Sequence, residues 1–99
     1  MVAIRQIVAT PEYVKNYQRL SKEMQKIVDT KIKQLVSNAA HPSLQTHRLK
    51  RAKAEDVWGC YISFSKRLIY QYKDGKIYLW DVGEHSIVER IHLRNFQVY

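Results

Sequence analysis

One cysteine, Cys60, is all that a chain of 99 residues carries. It has no partner for an internal disulfide. It sits on the apolar side of an alternating run, so it reads as a small buried hydrophobe rather than a nucleophile. The cytoplasm is the simplest location for such a chain. Three glycines are too few for a glycine-rich phosphate loop. There is no CxxC and no HExxH, and the four histidines, His41, His47, His85 and His92, lack the spacing of known metal-ligand motifs. No Ser-His-Asp order is recognisable. These absences argue against a metal site and against a small-molecule cofactor. No apolar run approaches the roughly 20 residues of a membrane span. The opening MVAIRQIVATPEY lacks the apolar stretch of a signal peptide, so no membrane partner is expected. Without repeats, low-complexity tracts or linkers, a single domain over residues 1–99 is expected.

Acidic residues are also scarce. Nine Asp and Glu stand against 17 Lys and Arg, a net charge of +8. That excess favours an anionic partner: nucleic acid, an acidic protein or an anionic membrane surface. Seven tyrosines and two tryptophans add faces on which bases can stack, although core packing is the more common use of such rings.

What is present centres on Trp58 to His85, WGCYISFSKRLIYQYKDGKIYLWDVGEH. Trp58, Cys60, Ile62 and Phe64 alternate with Gly59, Tyr61, Ser63 and Ser65, the period-2 pattern of a half-buried strand. Arg67 to Tyr72 gives a second strand, with Leu68, Tyr70 and Tyr72 on one face and Arg67, Ile69 and Gln71 on the other. Lys73-Asp74-Gly75 is a hairpin turn signal. Lys76 to Val82 is a third strand, rich in aromatic and β-branched residues. Gly83-Glu84-His85 ends it.

Upstream, Val2 to Val8 reads as a short strand. Thr10-Pro11-Glu12 starts a helix running to about Leu20. Ser21 caps a second helix that runs to about Asn38, with Met24, Ile27, Val28, Ile32, Leu35 and Val36 as its apolar stripe. Two helices this close suggest a hairpin packed on the sheet. Pro42 ends the helical region. His47 to Lys50 suits a short strand, and Lys50 to Asp56 a loop. With Arg48, the residues Lys50, Arg51 and Lys53 form the densest basic cluster, either a phosphate contact or a solvated loop. A short helix fits Ser86 to about Arg90. The tail beyond it is open between a last strand, a partner-binding segment and a frayed end. The fold class is therefore α+β: a small antiparallel sheet of about four strands, an N-terminal strand, and the helices gathered on one face.

One chemistry needs no cofactor. RNA carries its own nucleophile, the 2′-hydroxyl. Histidine can move the protons and arginine can stabilise the phosphorane. His85, Arg67 and His47 are the candidates. For His85 the bland alternative is a turn or cap hydrogen bond; for Arg67 it is a cross-strand salt bridge; for His47 it is an incidental surface role.

Four features in order carry a family resemblance: a strand and helical hairpin; HPSLQTHRLKR; VWGCYISFSKRLIYQY; and IYLWDVGEHSIVE. Together the chain resembles the RelE/ParE toxin superfamily of toxin–antitoxin systems over nearly its whole length. The resemblance implies a cognate antitoxin as partner, and either mRNA cleavage on the ribosome or, for ParE-like members, inhibition of DNA gyrase. The Gly-x-His ending leans toward the ribonucleases. It implies His85 as a catalytic acid or base, Arg67 on the scissile phosphate, His47 as a possible second histidine, and Arg48, Lys50, Arg51, Lys53 and Lys66 as RNA-binding residues. The chain also departs from the pattern. The carboxylate of YoeB-like members falls near Ser43, and the Asp and His of YafQ-like members near Ser65 and Lys66. An aromatic that follows the histidine in several members falls near Glu89, with Phe96 or Tyr99 as substitutes from the tail. The first reading is an mRNA endoribonuclease toxin. The alternatives are a ParE-like gyrase inhibitor and a non-toxic homologue acting as a protein-binding module.

Overall fold

Thr10 and Ser21 cap the two long helices as their positions suggest. The computed structural model describes residues 6–38 and 42–97. The expected start of the first strand at Val2–Arg5, the segment Ala39-Ala40-His41, and Tyr99 lie outside them. Helix α1 spans Pro11–Gln18, with Thr10 Oγ1 accepting from Tyr13 N–H at 3.3 Å. Thr10 Oγ1 also donates to Leu79 O at 2.9 Å, which fastens the helix start to the sheet. Helix α2 spans Lys22–Ser37, with Ser21 Oγ accepting from Met24 N–H at 3.1 Å. The Tyr17 hydroxyl donates to Asp29, tying the helices together.

Among the described residues, five strands make one sheet: β1 (Gln6–Ala9), β2 (His47–Arg48), β3 (Val57–Tyr61), β4 (Lys66–Lys73) and β5 (Lys76–Glu84), in the order β1-β5-β4-β3-β2. The β2–β5 ladder is antiparallel, and β1 joins the open edge of β5 in parallel, making the sheet mixed. Asp74 and Gly75 form the β4–β5 turn with φ of +54° and +71°. Two successive positive φ values define the hairpin turn whose twist matches that of the strands, which is why Asp-Gly serves there.

The sheet is covered on both faces. Against one pack Tyr13, Val28, Leu35 and Leu44, meeting Cys60, Ile62, Leu68, Tyr70 and Ile77. The opposite face holds Val57, Ile69, Trp80 and Ile91, with Leu49, Ile87, Val88 and Phe96 around them. The expectation that all helices share one face therefore holds for α1 and α2 only. The short helix α3 (Ser86–Glu89) folds back over the other side, because Ile87 and Val88 have a second apolar surface to cover.

As far as Gln97, the tail packs as a strap against the sheet. A 3-10 turn at Ile91–Leu93 buries Ile91. Phe96 meets Trp80 edge-on at a centroid distance of 5.1 Å, so it is committed to the core rather than to a site. Arg94 pairs with the buried Asp81 and, at 3.1 Å, with Glu12. Removing one partner of a buried pair leaves an uncompensated charge. Arg94→Ala is thus expected to cost about 3 kcal/mol, read as a lower urea midpoint. Burial pushes the Asp81 carboxyl above its ordinary value, while the Asn16 amide and Arg94 pull it back. Without Arg94 the folded-state value rises further. The deficit should be full at neutral pH, where Asp81 is ionised in the unfolded chain, and should vanish below the ordinary aspartate range, where both states are protonated.

A second expectation is corrected. The alternation places Phe64 with Trp58, Cys60 and Ile62 on a buried face, but β3 ends at Tyr61. Ile62 N–H and Ser63 N–H both donate to Lys66 O, and Lys66 N–H donates back to Ser63 O. That tight turn takes Phe64 out of the sheet, leaving it 91% exposed.

Candidate active site

Strand pairing alone brings two of the candidate residues together. His47 is opposite Gly59 across β2 and β3, and Arg67 is opposite Tyr61 across β3 and β4. Gly59 and Tyr61 are two residues apart, so His47 and Arg67 project from the same face, on either side of β3. His85 follows β5. Its N–H donates to Ser65 O at 2.9 Å, extending the ladder by one rung beyond the Lys66–Glu84 pair. Helix α3 then returns over this face. The result is a cavity of about 210 Å³ whose walls include His47, Arg67, His85, Gln45, Val88 and Glu89.

The side chains in it are positioned differently. The Arg67 Nη1 donates to Ser63 O at 2.7 Å and to Lys66 O at 2.9 Å, and the guanidinium lies 4.9 Å from the Tyr61 ring centroid. Among the described residues no carboxylate pairs with it, so the cross-strand salt bridge is not its role here. With Nη1 occupied by carbonyls, the Nη2 and Nε donors are left for an anion. His85 stands at the start of α3 but makes no side-chain cap hydrogen bond. Its Nε2 is 4.0 Å from Glu89 Oε1, and the imidazole is 60% exposed. Cys60 reaches the cavity wall, but burial pushes its thiol up to about 11, with Lys31 and Arg67 only partly offsetting this. It is not a thiolate nucleophile at neutral pH.

Glu89 also lines this cavity, where the sequence marks it only as the position of a missing aromatic. Its spacing of four from His85, on a helix beginning at Ser86, was the available signal.

The basic residues are less uniform. Lys50 and Lys53 line a separate hollow of about 470 Å³ formed by the β2–β3 loop, with Arg48 and Leu49. Arg48 pairs with Asp56 at 3.2 Å, and Arg51 Nη2 is 3.2 Å from His92 Nδ1. Lys66 Nζ is 2.6 Å from Glu84, whose carboxyl it holds below the usual range. Lys66 is thus engaged with a neighbour, whereas Lys50 and Lys53 are exposed. Among the described residues no three His, Cys, Asp or Glu side chains gather as metal ligands, and no helix is long and apolar enough to cross a membrane.

This arrangement of a mixed five-stranded sheet with a helical hairpin packed on it is the fold of the RelE/ParE-like toxins. Comparison with solved structures bears this out. The toxin–antitoxin complex DinJ–YafQ of E. coli superposes with a TM-score of 0.70 at 17% identity, over 84% of this chain and 94% of the matched one. The YoeB dimer of Staphylococcus aureus gives 0.69 at 23% identity, over 84% and 99%. The YoeB/ParE toxin of Agrobacterium tumefaciens gives 0.70 at 17%, over 82% and 99%. No protein-family model matches the chain, and no curated protein matches it in sequence. The chain has the RelE/ParE toxin fold.

Proposed function

We propose that the chain is the toxin of a toxin–antitoxin pair and acts as a metal-independent endoribonuclease on ribosome-bound mRNA in the cytoplasm. The observation that carries this reading is the cavity in which His47, Arg67 and His85 meet. Cleavage starts when a base takes the proton of a ribose 2′-hydroxyl. The 2′-oxygen bonds to phosphorus, the bond from phosphorus to the 5′-oxygen breaks, and an acid protonates that oxygen, leaving a 2′,3′-cyclic phosphate. His85 and His47 serve as the acid–base pair. Arg67 uses its remaining donors on the phosphorane, where negative charge accumulates. Lys50, Arg51, Lys53 and Arg48 hold the flanking phosphates, and Lys66 contributes only when it leaves Glu84. Antitoxin partnership is supported by the complexes among the structural neighbours. The net charge of +8 suits an acidic partner segment as well as RNA.

The test is primer extension on a reporter mRNA after brief expression. New 5′ ends within translated codons are expected. Growth arrest with intact mRNA would sink the nuclease reading and direct attention to a gyrase supercoiling assay. Neither arrest nor cleavage would point to a binding module.

A further inference from the structure

Phe64 sits where an exposed phenylalanine needs a reason. At 91% exposure it forgoes the burial that normally stabilises such a ring. The other large exposed apolar side chains, Ile7, Val14, Ile27, Val36 and Leu93, belong to β1, α1, α2 and the tail. Phe64 is flanked in sequence by Ser63 and Ser65, then Lys66.

Its loop is braced, and the braces are the candidate site residues themselves. Arg67 Nη1 donates to Ser63 O at 2.7 Å, and His85 N–H donates to Ser65 O at 2.9 Å. Phe64 is the residue between those two carbonyls. Consecutive Cα atoms are 3.8 Å apart, so the Phe64 backbone lies within one residue of each carbonyl that Arg67 and His85 hold. The Ser63–Lys66 backbone bonds close the turn from below. A single exposed ring on a polar loop braced through its carbonyls by the Arg67 guanidinium does not match a protein helix or strand, which would ask for a stripe of apolar positions. It matches a flat π surface attached to an anion.

We propose that Phe64 is a base-stacking subsite, taking a nucleobase of single-stranded RNA next to the phosphate held at Arg67. The proposal rests on the ribonuclease reading and adds to it a site for the base. Stacking is tolerant of base identity. Phe64 therefore contributes affinity and register along the strand, and codon preference must arise elsewhere.

The experiment is fluorescence anisotropy with a labelled 2′-O-methyl RNA oligonucleotide, which lacks the nucleophile and stays intact. Full-length wild type, Phe64→Ala, Phe64→Leu and Phe64→Trp are compared at fixed low salt. Phe64→Ala and Phe64→Leu should each weaken binding about ten-fold or more, and Phe64→Trp should preserve it. Thermal unfolding of all three should match wild type, since the side chain is 91% exposed. If wild type binds while Phe64→Ala binds equally well, the stacking subsite is overturned and the nuclease reading survives. If Phe64→Leu restores binding, the ring is an apolar contact and the subsite is overturned. If wild type binds no RNA, the subsite is overturned, while primer extension still decides the nuclease reading. RNA affinity unchanged in Phe64→Ala, with antitoxin binding lost, would make the ring a protein contact and overturn the proposal.

Discussion

His85→Ala is expected to lower mRNA cleavage by about 10²–10⁴-fold while leaving the fold intact. The two halves of that statement have separate causes. The imidazole is 60% exposed, caps nothing, and has Glu89 as its near neighbour at 4.0 Å. What joins position 85 to the fold is its backbone N–H on Ser65 O and its carbonyl on Val88 N–H, and alanine keeps both. The chemical half follows from the small number of other proton carriers in the cavity. In the cavity the thiol of Cys60 is held protonated by burial, leaving the two histidines and Glu89 to move protons. Single-turnover cleavage of RNA, with circular dichroism and thermal unfolding of the same preparation, reads both halves. Undiminished cleavage by a folded His85→Ala protein would remove His85 from the mechanism. A lost thermal transition would give it a structural role that its contacts do not show.

The candidate site was legible in the chain to the extent that its determinants are local. Period-2 alternation assigned Leu68, Tyr70 and Tyr72 to one face and Ile69 to the other, and the two cores divide them in that way. Thr10, Ser21 and Asp74-Gly75 were readable because caps and tight turns act within a few residues. Strand parity then carries His47 and Arg67 to a common face. The failures lie where distant partners decide. The choice of β1 for the edge of β5 depends on contacts such as Thr10 to Leu79, 69 residues apart. The tail is held by Arg94 on Asp81 and Phe96 on Trp80, neither of which has a local pattern. Alternation in the sequence continues through Ser65 although backbone hydrogen bonds have already closed the turn, so the pattern puts Phe64 on the wrong side. Lys66 looked like a free cation beside the site, and only the β4–β5 register reveals Glu84 opposite it.

Arg67→Lys is expected to reduce cleavage by about 10²–10³-fold even though the charge is kept. The guanidinium performs two tasks at once. Its Nη1 holds the Ser63 and Lys66 carbonyls, and its plane rests by Tyr61, which fixes the direction of the donors that remain. A lysine ammonium has three donors on a flexible stem and no planar fork. If it satisfies the two carbonyls it turns away from the phosphate, and if it turns to the phosphate the Ser63–Lys66 turn keeps its backbone bonds but loses its side-chain brace. Ground-state RNA binding depends mainly on the number of phosphates neutralised, so Arg67→Lys should keep the slope of log K against log salt close to that of wild type. Arg67→Ala should lower the slope by about one. Cleavage falling in both variants while only alanine changes the salt slope would identify Arg67 as a transition-state donor. Equal losses of binding and cleavage in Arg67→Lys would instead mean that the fork serves to hold the RNA, and the phosphorane would need another cation.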